Sequence, residues 1–150
     1  MRAISVLPAS VWDATEAVDS VLLDFDMRHR RRIVLRTEAG ADLLLDLAQA
    51  ARLRDGDGLV LETGGVVRVR ARPEALLEVH AHGAGALARL AWHLGNRHLP
   101  VQVLGDRLRI RDDHVIAAMI EGLGAHVDSI EAPFDPEAGA YGGLDHDHEH

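Results

Sequence analysis

The chain has 150 residues, enough for one ordinary domain or two small ones, and its 47% hydrophobic share is that of a globular protein. Aromatic residues make up only 3%, cysteine is absent, and the formal charge is −8. Disulfides, thiolate metal sites, iron–sulfur clusters and cysteine nucleophiles are thereby excluded, while base-stacking platforms and general nucleic-acid binding are disfavoured.

All 16 basic residues are arginine. The opening MRAISVLPASVWD lacks the continuous apolar core and small-residue cleavage site of a secretion signal. No stretch approaches the roughly 18 apolar residues of a membrane span. The expectation is a soluble cytoplasmic protein that contacts neither membrane nor nucleic acid.

Residues 1–72 read as strands and turns. SVLLDF and RRIVLRT carry alternating apolar positions, ADLLLDL is a third candidate, and GLVLETGGVVRVRA has the form of a hairpin turned at Gly64 and Gly65. In its second arm Val67, Val69 and Ala71 face one way and Arg68 and Arg70 the other, so a small, half-exposed β domain is predicted. The boundary falls at RARPEALL, where Pro73 is expected to interrupt strand pairing and the pattern changes to strands mixed with helices.

Over 73–134 the order is strand (EALLEVHAH), helix (GALARLAWHLGN), two short strands about Gly105 and Asp106 (VQVLGDRLRI), helix (DHVIAAMIEGLG) and strand (AHVDSIEA). This βαββαβ order is the ferredoxin-like signature, which makes the whole an α+β protein. In the first helix Leu87, Leu90, Ala91 and Leu94 form one stripe and direct Arg89, His93 and Asn96 away from it. The second has Asp112 or Asp113 as N-cap, is expected to bury Val115, Ile116, Met119, Ile120 and Leu123, and stops at Gly124. After Ala132, PFDPEAGAYGGLDHDHEH has no apolar period to offset the entropy of ordering, so 135–150 is expected to be a flexible, His-rich tail.

Histidine is the abundant reactive residue, ten in all. Neutral imidazole binds nickel, copper and zinc, and interleaved carboxylates add oxygen donors. His146, His148 and His150, alternating with Asp145, Asp147 and Glu149, therefore form a multidentate chelator, or else a merely solubilising or cloning tail. A tail alone binds loosely, because each ion must order a free chain. Selectivity needs a rigid partner, and His98 in GNRHLP stands at a helix exit whose backbone Pro100 fixes. Alone it is also compatible with a surface histidine without a task. One imidazole cannot fix an ion, but across a two-fold axis it meets its own copy, so a homodimer supplies two.

Weaker signals surround these. His80 and His82 are two apart on a strand and share a side, as ligands or as an exposed face. Asp113 and His114 are a peripheral ligand pair, or Asp113 is only a cap. His93 lies just over one helical turn before His98, while His29 and His126 have no partner in sequence. HGAGAL lacks the third glycine of a phosphate loop, and DGDG has Val66 where a calcium loop needs glutamate, so both read as plain connections. RHRRR reads as a solvated strand face. No nucleophile elbow, HExxH or inward carboxylate pair marks a catalyst.

WHLGNRHLPVQV resembles the signature of the UreE family of urease accessory metallochaperones. The likeness extends through FDMRHRRRIVLRT, LRDGDGLVLETGGVVRVRA and DDHVIAAMIEGLGAHVDSIEAPFDPEAGAYGG, in that family's order, to the histidine-bearing tail. The resemblance implies a β domain over 1–72 that engages peptides or partner proteins and a ferredoxin-like domain over 73–134 that binds metal and dimerises. It implies that His98 from each protomer holds a nickel ion which His146, His148 or His150 helps enclose, with His93, Asp113 and His114 as peripheral ligands. The family's third peripheral position is Asp112 here.

The implied role is to carry Ni2+ to apo-urease in complex with the accessory GTPase UreG and other maturation proteins, without catalysis. Zn2+ and Cu2+ compete for such donors, and protons weaken binding as pH drops through the imidazole range. Simple divalent-metal storage by the tail is the alternative.

Overall fold

A computed structural model describes residues 1–137, and the tail histidines His146, His148 and His150 lie outside the described residues. The described chain divides into two compact units, Met1–Arg72 and one that starts at Pro73.

The first unit is a six-stranded mixed sheet with a few short 3-10 turns between strands. Its strands are β1 (Arg2–Leu7), β2 (Asp19–Leu23), β3 (His29–Arg36), β4 (Asp42–Arg52), β5 (Gly58–Leu61) and β6 (Val66–Ala71), in the order β2-β6-β5-β1-β4-β3. β1 pairs with β4 and β2 with β6 in parallel, and the other neighbours are antiparallel. β1 is an addition to the expected strands. Its sequence RAISVL alternates weakly and only Ala3 is fully buried, yet it lies inside the sheet between β4 and β5.

The β5–β6 hairpin turns where predicted, with Gly64 and Gly65 both at φ 91°, a region closed to most side chains. Val67, Val69 and Ala71 go into the core with Val21, Leu43, Leu45 and Leu59, while Arg70 is exposed. DGDG is a turn whose carboxylates tie backbone. Asp55 accepts from the Ala71 amide at 2.8 Å and Asp57 from the Arg54 amide at 2.8 Å. One expectation fails in RHRRR, because Arg28 is buried. Its guanidinium lies 5.9 Å from the Phe25 ring centre and donates to the Leu53 carbonyl at 3.3 Å, so this arginine serves the interior rather than a solvated face.

The second unit has the predicted ferredoxin-like order: β7 (Pro73–His80), α1 (Ala84–Asn96), β8 (Gln102–Leu104), β9 (Arg107–Arg111), α2 (His114–Gly122) and β10 (His126–Pro133). The antiparallel sheet runs β10-β7-β9-β8. Its core is Leu77 and Val79 of β7 and Leu108 and Ile110 of β9, packed with Leu90 and Leu94 of α1 and Ile116 and Ile120 of α2. Burying one such leucine or isoleucine is worth about 1.5–3 kcal/mol, so helix packing rests on these few residues.

Four local expectations are corrected. Pro73 starts β7 opposite Pro133 instead of breaking the pairing, since the first residue of a strand can lack an N–H. β7 ends at His80, which leaves His82 in the connection to α1 and off the strand face it was expected to share. Val115 and Leu123 of the apolar α2 set are exposed. Order also persists past Ala132: Phe134 and Pro136 are buried, the Asp135 amide donates to the Gln102 side chain, and the Glu137 amide donates to the Val101 carbonyl at 2.8 Å.

Candidate metal centre

His98 owes its position to how α1 ends. Leu94 is the last buried residue of the helix, and three amides fold back over it. Arg97 N–H donates to the Leu94 carbonyl (3.2 Å), His98 N–H to Gly95 (3.0 Å) and Leu99 N–H to Leu94 (3.3 Å). This is the pattern of a Schellman cap, whose residue after the C-cap must be left-handed and is usually glycine. Here that residue is His98, at φ 58°, the one non-glycine residue with positive φ among the described residues.

The left-handed conformation costs an L-residue about 1–2 kcal/mol, although histidine tolerates it better than most. Leu99 and Pro100 follow at once, and the proline ring fixes the exit. The imidazole is therefore exposed on a backbone held from both sides. A strained, over-determined position of this kind points toward function.

Asp113 caps α2: its Oδ1 accepts from the Val115 and Ile116 amides at 2.9 and 3.1 Å. His114, the first residue of α2, is exposed. A hollow of about 260 Å³ is lined by Leu99, Pro100, Asp112, Asp113 and Ile116 among others. The exit of α1 beside His98 and the start of α2 beside His114 thus border one depression. His93 sits elsewhere on α1. It meets the Trp92 ring edge-on at 5.1 Å and, with His82 and Arg89, lines a separate hollow of about 110 Å³. Among the described residues, no three His, Asp or Glu side chains surround a common point as metal ligands. The second unit thus offers one rigid imidazole and an incomplete ligand set.

Residues 2–72 match the family model described as UreE urease accessory protein, N-terminal domain, and 74–150 match the corresponding C-terminal domain. The chain belongs to the UreE family. A urease accessory protein UreE of a Bradyrhizobium species is 56% identical over 148 residues, covering 99% of this chain and 70% of that protein. One from Beijerinckia indica is 51% identical, covering 99% of this chain and 85% of its own length. One from Rhodobacter capsulatus is 47% identical, covering 98% and 92%. As a UreE, the chain is a non-catalytic accessory protein of urease.

No helix among the described residues is long and apolar enough to cross a membrane. The sequence carries no glycine at the position where the backbone turns left-handed, because His98 stands there. The signal was present in the spacing, since His98 stands four residues after the last stripe leucine and is followed by an apolar residue and a proline. The usual glycine cue, however, is replaced by histidine.

Proposed function

We propose that this UreE carries nickel to apo-urease by holding the ion between two copies of His98 across a two-fold axis. The tail histidines His146, His148 and His150 close over the ion, and His93, Asp113 and His114 act as peripheral ligands. Residues 73–134 then form the metal-binding and dimerising domain, and residues 1–72 the domain that engages partner proteins. Transfer takes place in the cytoplasm, in a complex with UreG and the urease apoprotein.

The observation that carries this reading is the left-handed, doubly fixed backbone at His98. A rigid lone imidazole binds weakly, and a symmetry mate doubles it without further design. Trp92 and Val115, each 63% exposed, add large apolar surface on the same two helices that carry His93 and His114, as a dimerising face requires. At Asp113 both cap bonds fall on Oδ1, which leaves Oδ2 for an ion. Such an imidazole and carboxylate set releases its metal more readily than thiolates do, which suits a carrier, and it admits Zn2+ and Cu2+ as competitors.

Titration calorimetry tests the assignment on two variants, the chain ended after Gly143 and full-length His98→Ala. The first keeps at least one nickel per dimer. The second loses that site, and unchanged tight binding in His98→Ala rejects it. Transfer is tested with apo-urease and UreG, where nickel-loaded wild type activates urease and His98→Ala does not.

A further inference from the structure

The chain beyond β10 is strapped to the second unit in a definite direction. β10 and β8 are the two edges of the four-stranded sheet, and residues 134–137 lead from the end of one to the start of the other. Phe134 and Pro136 are buried, the Asp135 amide donates to the Gln102 side chain at 3.1 Å, and the Glu137 amide donates to the Val101 carbonyl at 2.8 Å. The partners step from residue 102 to residue 101 as the chain goes from 135 to 137. The chain thus leaves the described residues heading for Pro100 and Leu99.

Those two residues wall the hollow of about 260 Å³ beside the exit of α1 and the start of α2. Ile110 and Ile116 supply its other apolar walls, and its rim carries Arg111, Asp112 and Asp113. Residues 138–150, AGAYGGLDHDHEH, lie outside the described residues, and their only large apolar side chains are Tyr141 and Leu144. We propose that Tyr141 of the same chain docks in this hollow and thereby holds the histidine-bearing segment beside His98.

Reach and chemistry both select Tyr141. Four residues from Glu137 span up to about 13–14 Å, and the hollow begins one residue from the carbonyl to which Glu137 is tied. A tyrosine has an apolar ring for the four aliphatic walls and a phenol O–H to donate to the Asp112 carboxylate at the rim. Leu144 has nothing to offer that rim. One arginine against two aspartates also disfavours the acidic residues after Leu144, because like charges repel.

The consequence for the metal rests on the reading of His98 given above, whereas the docking does not. An anchor at Tyr141 shortens the free segment before His146 from nine residues, counted from Glu137, to five, counted from Tyr141. Closure of a flexible segment falls as about the 3/2 power of its length, so the anchor favours closure of His146 onto His98 by about 2- to 3-fold.

NMR of the metal-free, full-length chain tests the docking, and Tyr141 is the only tyrosine in the spectrum. Nuclear Overhauser contacts are expected from the Tyr141 ring to the methyl groups of Ile110 and Ile116. Tyr141→Ser should abolish them and shift the Ile116 methyl signals, while Leu144→Ser leaves those signals in place. In a mixture of labelled and unlabelled protein the contacts should arise within one chain. Absence of the contacts, contacts only between protomers, or Ile116 shifts that follow Leu144→Ser instead overturns the proposal. Nickel titration of full-length Tyr141→Ser should show affinity about 2- to 3-fold below wild type, and unchanged affinity overturns the anchoring role. Should His98→Ala keep tight nickel while the Tyr141 contacts persist, the His98 reading fails and the docking stands.

Discussion

Replacing His98 by glycine separates the two things that this residue does. Its backbone carries a left-handed φ of 58° in a cap position that favours glycine. Glycine relieves a penalty of about 1–2 kcal/mol, against which its extra freedom in the unfolded chain costs about 0.5–1 kcal/mol. The expected net gain is about 0.5–1 kcal/mol, or roughly 1–4 °C in the unfolding temperature of a chain of this size. His98→Ala keeps the left-handed penalty and gains nothing.

Both variants lose the imidazole and, on the present account, the nickel. Differential scanning calorimetry of the metal-free variants reads the first effect, and nickel titration reads the second. The expected pattern is a more stable His98→Gly and an unimproved His98→Ala, both without the tight ion. A His98→Gly protein that melts below wild type refutes the backbone argument. One that keeps tight nickel refutes the ligand argument.

Other expectations follow from packing and charge. A Cβ on Gly58 would stand 2.5 Å from Val66 Cγ1 and 2.8 Å from the Trp12 ring, so Gly58→Ala should destabilise by about 1–3 kcal/mol, read by urea unfolding. Ile120→Ala empties a fully buried site beneath α2 and should cost about 2–5 kcal/mol by the same measurement. Asp113→Ala removes the α2 cap and should cost about 0.5–2 kcal/mol, while Asp113→Ser retains most of it.

Acid should weaken the first unit. A hydrogen bond from Arg2 holds the Asp46 carboxyl below its ordinary range, and hydrogen bonds from Ser20 and Arg70 do so for Glu38. The stability from these depressed carboxyls is present above their unfolded values and is lost as pH falls below about 4. In Asp46→Asn the decline of the urea midpoint between pH 5 and pH 3 should be shallower than in wild type. An equal decline removes Asp46 from the account.

The second unit was legible in the sequence because its elements obey their own periods. The leucine stripe of α1, the Asp113 cap and the Gly124 stop of α2, and the turn at Gly105 all carry their structural reason locally. What the sequence hid was decided at a distance. β1 has little alternation of its own and becomes a strand because β4 and β5 flank it. Arg28 sits in a basic run, yet Phe25 and the Leu53 carbonyl draw it inside.

The same holds for the histidines. GNRH and the resemblance it carries were readable, whereas the left-handed backbone of His98 was concealed by the absence of glycine. His126 had no partner until the β7–β10 register brought His80 opposite to it, 46 residues away in the chain. A pairing of that range is fixed by strand order, which single-sequence periodicity does not encode.

Native mass spectrometry of the full chain, with and without nickel, tests the central claim most directly, since it reports oligomer and stoichiometry in one spectrum. The account predicts a dimer whose nickel includes one ion shared between protomers, absent from the spectrum of His98→Ala. A monomer that holds nickel tightly, or a His98→Ala dimer with its full complement of metal, contradicts it.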